Sequence, residues 1–175
     1  MENGVKKGWE TTRLEQKEKV KEKLLDVFSR GTQGVLEEPN YSKEKLAEVI
    51  VEVMKREWPQ KWVNLLPKMI EEGRKEATQC HLCLLVLKSL AEDLLNFSED
   101  LTPARKKSLL KGFSESSSLL YSFLVDFVLS SQFSLLSSLA NPSLRKNSPQ
   151  AKTALLLVRT ALLFFKYSIP WFKLE

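Results

Sequence analysis

The sequence predicts an all-α fold: a HEAT-repeat α-solenoid of stacked antiparallel helical hairpins, an ARM-like superhelix. Three observations carry this. Apolar residues recur at i, i+3, i+4 and i+7 in six successive segments. No segment alternates with the period of a strand. The segments pair off at intervals of about 35 to 50 residues, the span of one helical repeat. Each hairpin carries an apolar face that it cannot cover alone, and stacking buries it.

Residues 1–10 are polar and are expected to fray, which leaves 11–175 as a single HEAT-repeat domain. Thr12 and Glu15 have the spacing of a capping box for the first helix, whose apolar stripe is Val20, Leu24, Val27 and Phe28. Gly31, Gly34 and Pro39-Asn40 mark the connection to the second helix. Ser42 is expected to cap that helix, with Tyr41 and Leu46 as a hydrophobic staple. Leu46, Val49, Ile50, Val53 and Met54 form its buried stripe.

Pro59 stops the second helix by pushing Trp58 out of the α region, and it is pre-set for the first turn of a third. The third helix is predicted over about 60–72, turning Trp62, Leu65, Leu66, Met69 and Ile70 inward, with a kink at Pro67. Trp58, Pro59 and Trp62 form a structural elbow, the two rings filling the angle between the helices. The fourth helix, about 75–96, is apolar around so much of its girth that it needs neighbours on several sides. Thr102-Pro103 opens the fifth, which buries Leu109, Phe113, Leu120, Phe123, Leu124, Phe127 and Val128 and is expected to break among Ser130 to Ser138. After a polar loop at 141–147, Ser148-Pro149 opens the sixth, with Leu155, Val158, Leu162 and Phe165 inward and Pro170 as its stop.

Charge and chemistry narrow the function. Lys and Arg number 27 against 22 Asp and Glu, a formal net charge of +5, too modest to imply nucleic-acid binding without a clustered face. Two cysteines and a polar start with no signal-peptide core point to a reducing interior. The apolar run Ala154 to Phe165 is interrupted by Arg159 and too short to span a bilayer, so it reads as a core helix and no membrane partner is expected. Cys80-His81-x-Cys83 has helix-face spacing for metal ligands, yet no other Cys or His completes four ligands. The reading is buried core thiols, with no metal and no cofactor. His81 stands mid-helix with no acid to orient it, and Gly31-Thr32-Gln33-Gly34 lacks the lysine of a phosphate loop. No catalytic residues, and no enzyme, are expected.

Two charged faces remain. At 100° per residue, Glu15, Glu18, Glu22 and Asp26 fall on one side of the first helix, opposite Val20, Leu24 and Phe28. Taken alone, the stripe is a solvated face laced with Lys17, Lys19, Lys21 and Lys23. The fifth helix sends Lys107, Lys111, Glu115, Ser118 and Ser122 outward, and its two lysines are a weak signal for phosphate.

The elbow, Lys55-Arg56-Glu57-Trp58-Pro59-Gln60-Lys61-Trp62, resembles the exportin branch of the importin-β-like transport receptors, and within it the exportin-5 (Hasty) group. Arg13-Leu14-Glu15, Gly31-Thr32, Leu36-Glu37-Glu38 and Leu90-Ala91-Glu92-Asp93 agree in order. The likeness runs from about Trp9 to about Trp171, thins after Leu129, and departs at Val63, where the family has a second Trp-Pro. Such receptors are several times longer, so the resemblance implies an N-terminal portion of one, with the exportin-1-like domain, or a short relative. It further implies that the first, third and fifth helices line a concave face that holds the GTP-bound small GTPase Ran. The acidic stripe then becomes the candidate Ran contact, with Asn64, Lys68, Lys107 and Lys111 as further concave-face contacts. It implies double-stranded RNA, including microRNA precursors, or protein as cargo of the full receptor. It also implies nucleoporins as partners and shuttling between nucleus and cytoplasm. The alternative is a truncated HEAT-repeat scaffold without transport activity.

Overall fold

The computed structural model describes residues 8–30, 35–37, 39–95, 101–140 and 148–168, with the backbone alone at 40, 128 and 130–140. Expectations placed on residues 1–7, Gly31 to Gly34, the loop 141–147, Pro170 and Trp171 lie outside the described residues. Seven helices form among those described: α1 (Leu14–Arg30), α2 (Asn40–Glu57), α3 (Leu65–Gly73), α4 (Ala77–Leu95), α5 (Pro103–Glu115), α6 (Ser117–Ala140) and α7 (Pro149–Ser168). The described residues contain no strand.

The helices pack in two rows. α2, α4 and α7 lie side by side in one, and α1, α3 and α6 in the other. Across the rows α3 packs on α4 and α6 on α7, so consecutive helices form the hairpins of a helical solenoid. α4 is central and touches α1, α2, α3 and α7. Every side chain from Gln79 to Leu87 is buried, which only a helix with neighbours on several sides can achieve.

Local chemistry departs from expectation at the helix ends. The Arg13 carbonyl accepts the first α1 bond from the Lys17 amide, while the Thr12 hydroxyl donates backwards to the Gly8 carbonyl at 2.7 Å, so no capping box forms. α2 begins at Asn40, ahead of Ser42, with no side-chain cap, and Tyr41 stands exposed rather than stapled. Pro59 lies in a turn, and α3 starts only at Leu65. Pro67 is therefore in the first turn of α3, where an amide has no intrahelical acceptor, and no kink is required. Thr102 behaves as expected: its hydroxyl accepts from the Arg105 amide at 3.2 Å, with Pro103 at the first helical position.

Two larger corrections concern the C-terminal half. The predicted fifth helix divides at Ser116 into α5 and α6, and α6 then runs unbroken through the serines at 130–138. On α7 the buried residues are Ala154, Leu157, Thr160, Ala161, Phe164 and Ser168, whereas Leu155 and Leu162 are exposed. Lys152, Arg159 and Lys166 lie opposite the buried set, and Leu155 and Leu162 share their side. On α1, similarly, Leu25 packs against the core while Val27 is exposed.

Candidate functional site

The elbow residues do not share one contact; each reaches a different element. Lys55 is buried and its ammonium bonds Asp93 of α4 at 2.7 Å and Glu52 at 2.5 Å. Burial alone would raise the pKa of Glu52, but its bonds to Lys55 and Arg56 lower it below the usual carboxylate value. Trp58 turns to α5, edge-on to Phe113 with ring centroids 5.2 Å apart. Gly112 gives it room: a Cβ there would sit 2.7 Å from the Trp58 ring and 2.8 Å from Pro59. Trp62 goes the other way and is walled by Leu24, Leu25 and Phe28 of α1 with Ile50, Leu65 and Met69. The two rings thus part to opposite neighbours rather than filling one angle.

Arg105 of α5 closes the far side. Its guanidinium donates to the Lys55 carbonyl at 2.6 Å, to the Met54 and Trp58 carbonyls, and to the Gln60 side chain at 2.6 Å. A cation at the end of α2 satisfies carbonyls that the helix leaves free and complements its dipole. Gln60 also donates to the Ser108 hydroxyl. Burial pushes the Arg105 pKa down, opposed by the charge of Glu57.

Glu57 is buried and anchors the N-terminal segment. One carboxylate oxygen accepts from the Trp9 indole at 2.8 Å, and the other lies 3.7 Å from the Lys21 ammonium. Lys21, itself buried, donates to the Lys61 carbonyl at 3.2 Å, pairs with Glu18 at 2.5 Å, and lies over the Trp62 ring. The expectation of fraying through residue 10 therefore fails at Trp9, which is buried. Sequence reasoning missed this network, although a signal existed. Lys21 precedes Phe28 by seven residues, on the apolar side of α1, where a lysine must be desolvated and paired.

Cys80 and Cys83 are buried in α4, and desolvation pushes the Cys80 thiol up to about 12 and Cys83 well above its ordinary value. Among the described residues, no group of His, Cys, Asp and Glu is placed to hold a metal ion. His81 is buried with Nδ1 unpartnered, and burial, aided by Lys43, lowers its pKa to about 4. The unfolded chain therefore binds this proton more readily, and the stability held by the neutral ring above about pH 6.5 is lost as pH falls towards 4. The slope from this group reaches at most about 1.4 kcal/mol per pH unit. Denaturant midpoints at pH 7 and pH 5 should differ more for the unmodified chain than for a His81→Leu variant. Equal differences would show that the imidazole titrates freely.

The candidate contact residues are all in solvent. Glu15, Glu18, Glu22 and Asp26 are exposed along α1, as are Asn64 and Lys68 at α3 and Lys107 and Lys111 on α5. Along α1, Glu15 pairs with Lys19, Glu18 with Lys21, and Asp26 with Arg30. α1 and α3 are neighbours in one row, which brings the acidic stripe and the Asn64–Lys68 turn to one layer; Lys107 and Lys111 sit apart on α5. A separate cavity of about 750 Å³ opens between Gly73–Ala77, α6 and α7, floored by Phe123, Phe127 and Leu157 and rimmed by the Arg74–Asp126 pair at 3.0 Å. Among the described residues, no helix is long and apolar enough to cross a membrane.

Stacked helical hairpins define a helical-repeat protein. Comparison with known proteins gives the particular family. Residues 39–156 match the Exportin 1-like protein family, and the chain belongs to it. It is 31% identical over 126 residues to Exportin-5 of Homo sapiens, covering 72% of this chain and 10% of that protein. It is 29% identical over 175 residues to Exportin-5 of Dictyostelium discoideum, covering 98% of this chain and 15% of that protein. It is 27% identical over 136 residues to Protein EXPORTIN 1B of Arabidopsis thaliana, covering 75% and 12%. The chain is thus a member of a nuclear export receptor family and spans 10–15% of the length of these relatives.

Proposed function

We propose that the chain is the Ran-binding segment of an exportin-5-like receptor that shuttles between nucleus and cytoplasm. The observation that carries this is the exposure of Glu15, Glu18, Glu22 and Asp26 along one side of α1, in the row formed with α3 and α6. By the family likeness that row lines the concavity, where a basic patch of GTP-bound Ran would meet the carboxylates. Asn64 and Lys68 stand beside it, and Lys107 and Lys111, apart on α5, would meet phosphate or acidic groups of cargo. The full receptor would carry double-stranded RNA hairpins such as microRNA precursors, or protein, past nucleoporins. Ran-GTP and cargo would favour the same curvature, so each tightens binding of the other, and hydrolysis of GTP releases both. A binding module needs no catalytic group for this.

Exposed charges steer encounter more than they add affinity. Reversing Glu18 and Glu22 to lysine should therefore slow association with GTP-locked Ran by about tenfold at low salt and less at physiological salt. GDP-bound Ran is the control. The pairing of Glu15, Glu18 and Asp26 within α1 favours the second reading, a HEAT-repeat scaffold with a merely solvated stripe. Association rates that match the unmodified chain at both salts would establish that reading.

A further inference from the structure

We propose that the outward face of α7 docks an acidic amphipathic helix of a partner protein. Lys152, Leu155, Arg159, Leu162 and Lys166 are all exposed. They fall within an arc of roughly 80° at 100° per residue, on the side of α7 opposite its buried Leu157, Ala161 and Phe164. Leu155 and Leu162 are 63% and 62% exposed and stand one above the other, seven residues apart. The cations alternate with them at the same interval, and no carboxylate interrupts the strip.

The charge pattern selects the occupant. Several lysines elsewhere sit beside acids, as Lys19, Lys45, Lys75 and Lys111 do with Glu15, Glu48, Glu72 and Glu115. Among the described residues, neither Lys152 nor Arg159 has an acidic partner, and Lys166 lies over the Tyr167 ring. Aliphatic side chains at a heptad interval fit the grooves of a packed helix, and unpaired cations between them call for carboxylates on that helix. A membrane-surface helix would separate a broad apolar face from its cations, whereas here both share one line.

The test uses the whole chain and a pair of designed helical peptides of about three heptads. One carries leucine at a single heptad position flanked by glutamates; its twin has lysine for every glutamate. Fluorescence anisotropy should show binding of the glutamate peptide alone, weakening with salt. Arg159→Glu and Leu162→Glu should each weaken it by about tenfold with circular dichroism unchanged, and a Lys152→Glu/Arg159→Glu variant should take the lysine peptide instead. No binding of the glutamate peptide, equal binding of both, or insensitivity to the variants overturns the proposal. Salt-sensitive self-association that needs α7 assigns the strip to a second copy, and α7-dependent binding of phosphatidylserine vesicles or an RNA duplex without peptide binding assigns it to those; either overturns it as well.

Discussion

Truncating Trp58 to alanine should lower the stability of the chain by about 3–5 kcal/mol, the range for deleting a buried aromatic ring. The ring is 2% exposed, meets Phe113 edge-on, and has the backbone of Gly112 against its rim. A glycine on α5 that approaches so closely cannot move in to fill the vacancy without dragging Arg105 off the carbonyls it bonds. At ~2–4 °C per kcal/mol for a chain of this size, the thermal midpoint should fall by roughly 6–20 °C. Trp58→Phe should lose less, because it keeps most of the contact with Phe113. A midpoint unmoved by the alanine change would place the indole outside the packed interface and turn attention to a partner contact.

Replacing Glu57 by alanine should cost about 1–3 kcal/mol, for a different reason. The substitution strands the Trp9 indole N–H and leaves the buried Lys21 ammonium with only Glu18 and the Lys61 carbonyl. The loss should vary little with salt, since buried charges are weakly screened. Glu57→Gln should fall between, keeping an acceptor for Trp9 but no charge for Lys21. A combined Trp9→Phe, Lys21→Met and Glu57→Leu variant should recover most of the stability, because apolar groups of similar size can replace a buried ion pair. Chemical denaturation measures all of these. If Glu57→Ala unfolds at the denaturant concentration of the parent, the carboxylate is solvated and the N-terminal segment is not held through it.

The hairpin architecture was legible in the sequence because it rests on apolar period, and the period on α2 and α3 is strong. Faces were harder. On α7 the cations Lys152, Arg159 and Lys166 mark the solvent side, but Leu155 and Leu162 share that side, so the large aliphatic residues alone pick the wrong face. The break at Ser116 was masked by Leu109, Phe113 and Leu120, which keep helical spacing across it. Arg105 was invisible for a more basic reason. Its acceptors are backbone carbonyls, which any sequence supplies, so no residue type announces them. Lys21 and Glu57 were readable in principle as charges on apolar faces, but only the fold shows that they meet. The charged faces of α1 and α5 were found because exposure follows from the helical wheel alone.

The position of α4 governs how the chain comes apart. In a linear stack each repeat contacts only its neighbours, and opening can start at either end and spread stepwise. Here one helix is a wall of the hairpin with α3 and also lies between α2 and α7, so releasing any neighbour uncovers part of it. Its amides, under side chains buried without interruption from Gln79 to Leu87, exchange with solvent only when the whole stack opens. Proteases cutting at the exposed turns would therefore leave α4 and its partners associated as a nicked but intact body, and the last fragment to lose protection would carry Cys83.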